Sequence, residues 1–153
     1  MYLAYVDDSA RSMKKKTRFQ VLTALVMKDE HFRFTEAMVG VSVLALIPED
    51  RISNFEEFKA CELYGGYAVF EGIPQDRRFR VITALLHRVR DQKMPLVYGV
   101  VDIDKLKTGL YGSANPLDIA FRICAHGIEK CIKEIDPDQF ALIISDQCCP
   151  VKS

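Results

Sequence analysis

Apolar residues along this chain switch between a two-residue and a helical period. Residues 2–7, Tyr-Leu-Ala-Tyr-Val-Asp, are too few for a helix and rich in strand-favouring side chains, so they predict a strand that ends in Asp7 and Asp8. Residues 9–17 are polar and basic and read as a loop. Residues 18–27 then predict a second strand, antiparallel to the first. Over residues 29–47, Phe34, Met38, Val41 and Ala45 recur at helical spacing ahead of Pro48, while Val39, Val41, Val43 and Leu44 also suit a strand; a helix is expected.

Residues 48–72 mix charge, glycine and aromatics, with one short helix expected near 55–62. Residues 74–92 predict an amphipathic helix capped by Asp76, with Phe79, Ile82, Leu86 and Val89 buried and Arg77, Arg78, Arg80, Arg88 and Arg90 on its other faces. That basic run is either a solvated face or a patch for nucleic acid. Residues 95–101 predict a third strand ending at Asp102 and Asp104, and 105–114 a glycine-containing loop. Asn115 and Pro116 mark a helix start, and Leu117, Phe121, Cys124, Ile128, Cys131 and Ile135 its inner face. After Asp136-Pro137-Asp138, residues 140–145 predict a last strand, running into Asp146. The strand–helix alternation of the second half implies parallel strands, and the first half an antiparallel pair. The expected fold is therefore α/β, a mixed β-sheet with packed helices, in a single domain over residues 1–153.

Composition narrows the function only a little. Hydrophobic residues make up 49% and charged residues 27%, ordinary for a globular protein. Lys plus Arg equal Asp plus Glu at 21 each, so bulk charge does not favour a polyanion and nucleic acid would need a local patch. No signal-peptide pattern or membrane-length apolar run occurs, and the odd cysteine count, with Cys148 beside Cys149, argues against a disulfide framework. A reducing cytoplasm and no membrane partner are expected.

The candidate chemistry is acidic. Asp7/Asp8, Glu56/Glu57/Glu62, Asp102/Asp104 and Asp146 are acid groups at strand ends or in the irregular segment. Singly, such acids are commonly turn formers or caps. If the first and last strands lie side by side and parallel, however, Asp7 and Asp146 meet at one end of the sheet. Their repulsion then calls for a cation, and oxygen-only donors suit Mg²⁺ or Mn²⁺. Lys14–Lys16 is a solvated turn or a phosphate-contacting loop. Cys124 and Cys131 read as core. His31, His87 and His126 are scattered, and no P-loop or G-x-G-x-x-G is present. A small-ligand pocket around Tyr64 and Tyr67 is a further, metal-independent option.

The residues also carry a resemblance. Tyr-Val-Asp7-Asp8-Ser9-Ala10 resembles the Asp-Glu-Ser-Gly opening of the bacterial family called domain of unknown function 3800, and Glu57-Phe58-Lys59-Ala60-Cys61-Glu62-Leu63 its Glu-x-His/Lys motif. The order of elements through Leu142-Ile-Ile-Ser-Asp146 is also similar. The resemblance implies a ribonuclease H-like fold, in which acids from a central strand and its parallel neighbour bind metal for phosphodiester chemistry. It implies Asp7 and Asp146 as metal ligands, Glu57 as a third catalytic acid and Lys59 as a phosphate-binding group. Asp8 stands where the family has Glu, Ala10 where it has Gly, and Gln147 where a Glu often follows. The family's later strands and its Gln-x-Ala-Asp motif have no counterpart before Ser153, so a truncated, degenerate or partner-completed domain is expected. Two functions follow as expectations: a divalent-metal-dependent nuclease or its relative, and a non-catalytic module that homo-oligomerises or is completed by a partner chain.

Overall fold

The computed structural model describes residues 1–8, 18–56, 58–109 and 113–145. They form two compact units, one of Met1–Asp29 with Met94–Ser153 and one of Glu30–Lys93.

The first unit is a four-stranded mixed sheet in the order β3-β2-β1-β4 with a long helix packed on it. β1 (Tyr2–Asp8) pairs antiparallel with β2 (Phe19–Lys28), which pairs antiparallel with β3 (Leu96–Asp102). β4 (Ala141–Ser145) runs parallel to β1. The α/β fold with a mixed sheet is as expected, and the condition set for the first and last strands, side by side and parallel, is met. The alternation of the second half did not make β3 and β4 neighbours, because β3 closes the opposite edge against β2.

Strand pleating sorts the side chains. Tyr2, Ala4 and Val6 of β1, Leu22, Ala24 and Val26 of β2, and Val101 of β3 share one face and form the core with a helix running over Pro116–Ile135. Asn115 Oδ1 accepts from the Leu117 amide at 3.0 Å and caps that helix, with Pro116 at its first position. Its buried stripe is Ala120, Cys124, Ile128 and Ile132. The expected face was turned too far, since Phe121 and Ile135 are exposed. The helix sits on the sheet at Gly99, where a Cβ would lie 2.0 Å from the Ala120 carbonyl oxygen.

The second unit is helical. The structure chooses helix over strand for α1 (Asp29–Leu44), whose first residue belongs to the sheet unit. Its Phe34, Met38 and Val41 stay exposed while Val43, Leu46 and Ile47 enter the core with Leu63 and Phe70. A 3₁₀ turn spans Glu49–Asn54, and the short helix is α2 (Ala60–Gly65), later than the 55–62 expected. α3 (Gln75–Asp91) follows. Pro74 occupies its N-cap, so Asp76 lies inside the first turn and pairs with Arg80 at 2.7 Å instead of capping. Leu86 is 63% exposed, and the side chain most deeply buried on α3 is Arg78. In the sheet unit, residues 103–108 are helical rather than loop, forming α4 (Ile103–Thr108); the Pro116–Ile135 helix is therefore α5.

Candidate functional site

The C-terminal ends of β1, β3 and β4 share one edge of the sheet, because the three strands run the same way. Asp7 and Asp8 sit there on β1, Asp7 exposed and Asp8 partly shielded. Asp7 is in register with Thr23 of β2, and Thr23 with Tyr98 of β3, so the three form one row across the sheet. The pleat puts this row on the face opposite α5. On β4, Ser145 is the register partner of Val6, the residue before Asp7.

Asp102 stands at the same edge, but its oxygens are already engaged. Oδ2 accepts from Arg18 Nη2 at 2.8 Å and Nε at 3.1 Å, while Oδ1 accepts from the amides of Asp104 and Lys105 and caps α4. The bond from Arg18 holds the Asp102 carboxyl below the usual carboxylate range, and the same bond raises the guanidinium of Arg18. This acid is a cap and an ion-pair partner. Arg18 escaped notice in the sequence because its role depends on the β2–β3 register, which brings Phe19 opposite Asp102 across 83 positions of chain. An arginine just before one strand and an aspartate at the end of another were the available hint.

Lys59 belongs to the helical unit and occupies the N-cap position of α2, where its carbonyl accepts from the Glu62 and Leu63 amides. With Asn54, Phe55, Glu56 and Glu62 it lines a cavity of about 160 Å³. Its neighbours are thus two carboxylates and an amide, a setting able to hold a small polar group. Glu57 and Asp146 lie outside the described residues, as do Ser9, Lys14–Lys16 and Cys148–Cys149. Among the described residues no group of three or more His, Cys, Asp or Glu side chains could hold a metal ion.

The arginines of α3 do not form a free basic patch. Arg78 is 9% exposed and donates to the carbonyls of Leu63 (2.7 Å), Tyr64 (2.5 Å) and Ile73 (3.0 Å), which binds the end of α2 to the start of α3. Arg80 pairs with Asp76, Arg90 pairs with Asp91, and Arg88 lies over the Phe34 ring at 4.4 Å. Arg77 lines a separate cavity of about 440 Å³ together with Glu49, Arg51 and Glu71. Around the tyrosines, Tyr64 stacks on Phe79 with centroids 5.4 Å apart. Tyr67 packs against Gly65, and its bond with Cys61 raises the phenol's pKa. Both rings nonetheless stay exposed, Tyr64 to 67% and Tyr67 to 50%.

Cys124 is buried in the core, and burial pushes its thiol up. No helix among the described residues is long and apolar enough to cross a membrane. No protein-family model matches the chain, and no curated protein or solved structure matches it.

Proposed function

We propose that the sheet unit is a ribonuclease H-like domain that binds Mg²⁺ or Mn²⁺ and is related to enzymes cleaving nucleic-acid phosphodiester bonds. One observation supports this most. β1 is an interior strand with β4 as its parallel neighbour, Val6 and Ser145 are register partners, and each is followed in sequence by an aspartate. That is the arrangement the resemblance to the domain of unknown function 3800 family requires. In this reading Asp7 and Asp146 hold the ion, Glu57 is a third acid and Lys59 contacts phosphate.

The donors are hard oxygens, the class Mg²⁺ and Mn²⁺ prefer. A bound ion would supply an activated water and offset charge on the leaving oxygen. In this reading the protein's share is to supply a pair of ionised carboxylates, which like-charge repulsion disfavours without a cation. Calorimetric titration of Mn²⁺ into the wild type and Asp7→Ala, with circular dichroism to confirm the fold, tests the ligand. Binding lost in the variant supports the reading and justifies a cleavage screen on DNA and RNA. A wild type that takes up no Mn²⁺ overturns it.

A second reading is a non-catalytic interaction module. It is favoured by the sheet face opposite α5, where Phe19, Leu96, Tyr98, Val100 and Leu142 are between 46% and 54% exposed.

A further inference from the structure

The helical unit holds a cavity of about 440 Å³ that neither functional reading uses. Its lining comes from three pieces of chain: the exit of α1 through Pro48, the 3₁₀ turn that follows, and the residues from Glu71 to Arg77 that lead into α3. Two kinds of residue meet there. Leu46, Ile47 and Ile73 are buried and apolar. Glu49, Arg51, Glu71 and Arg77 bring two carboxylates and two guanidiniums.

The frame of the cavity is tied together by its own bonds. Arg51 Nη1 donates to the Glu71 carbonyl, which joins the 3₁₀ turn to the segment before α3. Arg78 Nε donates to the Ile73 carbonyl at 3.0 Å, and Gly72 supplies the bend between them at φ +75°. The charged groups, by contrast, are largely unspent. Among the described residues, the side chains of Glu49, Glu71 and Arg77 have no hydrogen bond or ion pair. Arg51 commits one donor to Glu71 and keeps the others of its guanidinium.

We propose that this cavity binds a small zwitterion with an aliphatic tail, the chemistry of an aliphatic α-amino acid. It belongs to the helical unit alone and is independent of the metal-binding and interaction-module readings. Charge selects the zwitterion. A phosphate or a dicarboxylate would suit the guanidiniums but face Glu49 and Glu71, and a polyamine would face Arg51 and Arg77. A ligand with one charge of each sign answers both pairs. Its carboxylate matches the forked donors of an arginine, and Arg77 takes it because that guanidinium has no other engagement. Its ammonium is the partner for the two glutamates. The tail follows from Leu46, Ile47 and Ile73, against which a polar side chain would lose water without gaining a hydrogen bond, whereas an aliphatic one gains by burial. The volume lies in the range of small-ligand pockets, about 300–1,000 Å³. A frame already held by its own bonds needs little ordering on binding.

Calorimetric titration of L-leucine into the full chain in EDTA tests the site, with isocaproate, which lacks the ammonium, and isoamylamine, which lacks the carboxylate, as matched probes. L-leucine is expected to bind with a Kd of about 1 mM or tighter, and each single-charge probe at least about tenfold more weakly. Arg77→Gln should weaken L-leucine by a similar factor. Because Arg77 is exposed and its side chain unpaired among the described residues, the circular dichroism spectrum should not change. The Glu49→Gln, Glu71→Gln double variant should erase the preference for L-leucine over isocaproate. No heat from L-leucine at about 10 mM overturns the proposal. Isocaproate binding as tightly as L-leucine overturns the zwitterion, and binding unchanged in both folded variants overturns the assignment to this cavity. With EDTA present, none of these results bears on the metal site of the sheet unit.

Discussion

Arg18 and Asp102 close the acidic edge of the sheet from within: Arg18 Nη2 lies 2.8 Å from Asp102 Oδ2, at the point where β2 begins and β3 ends. The Ile103 amide donates to the Arg18 carbonyl at 2.8 Å, so backbone and side chain fasten the same two strand ends. The pair also removes Asp102 from the pool of free acids. What remains exposed at this edge on β1 is Asp7.

The pair has a pH signature. Because Arg18 holds the Asp102 carboxyl below its ordinary value, Asp102 contributes stability that is present above its unfolded pKa, near 3.9. That stability is lost as pH falls through the lower folded value. Asp102→Asn keeps a capping oxygen but not the charge. Its melting temperature should fall below that of the wild type at pH 7, and the gap should begin to narrow as pH drops below about 3.9. Thermal melts between pH 7 and pH 3 check this; curves with a constant gap would show that the charge is not responsible.

Gly99 gives a packing prediction. A methyl added there would meet the Ala120 carbonyl oxygen at 2.0 Å, a backbone atom that cannot rotate away. Gly99→Ala should therefore destabilise the sheet unit by at least about 1–3 kcal/mol, the usual range for overpacking. Urea unfolding reads the loss. A neutral substitution would mean that α5 is free to lift from β3.

These two positions show why part of the structure was legible in the sequence. Length and period sufficed for β1 through β4 and for α1, α3 and α5, since each is long or strongly apolar. Faces were harder. The period of α5 alone turns Phe121 inward, because the sequence cannot reveal that Gly99 lets the helix approach through Ala120 and Cys124. Likewise α4 depends on Asp102 receiving two amides, and a strand end was the only visible cue. Of the proposed site, Asp7 could be placed by reading one strand to its end, and the parallel β4 could be anticipated from Leu-Ile-Ile-Ser. Lys59 could be read only as part of a motif, and its carbonyl-capping role at α2 is a matter of backbone geometry.

Arg78 should be the costliest charged side chain to remove from the helical unit. Replacing it with Met, close in volume, leaves the carbonyls of Leu63, Tyr64 and Ile73 without the guanidinium that satisfies them. A buried acceptor left unpaired costs about 1–3 kcal/mol, so the loss in urea unfolding should be at least about 2 kcal/mol. Gly66 is coupled to it. At φ +73° a side chain is strained, and a Cβ would stand 2.6 Å from Arg78 Cζ. Gly66→Ala should accordingly cost less in the Arg78→Met background than alone, the mark of two residues sharing one constraint. Additive losses would show that the backbone strain alone governs Gly66.

Asp7 makes the last and sharpest prediction, because its charge should matter there only when a cation is bound. Asp7 is an exposed carboxylate at a strand end, so removing its charge is expected to cost little while no cation is bound. Asp7→Asn should then melt close to the wild type in EDTA. In Mn²⁺ the two should separate, since a ligand that binds only the folded state stabilises it by about 2.7 kcal/mol at a hundredfold excess over Kd. The wild type should gain that stabilisation and Asp7→Asn should lose most of it. A thermal-shift series in EDTA, Mg²⁺ and Mn²⁺ measures both arms. If Mn²⁺ moves neither protein, Asp7 is an exposed strand-end acid and no ligand. If it moves both equally, the ion binds elsewhere, and the role assigned to the end of β1 is wrong.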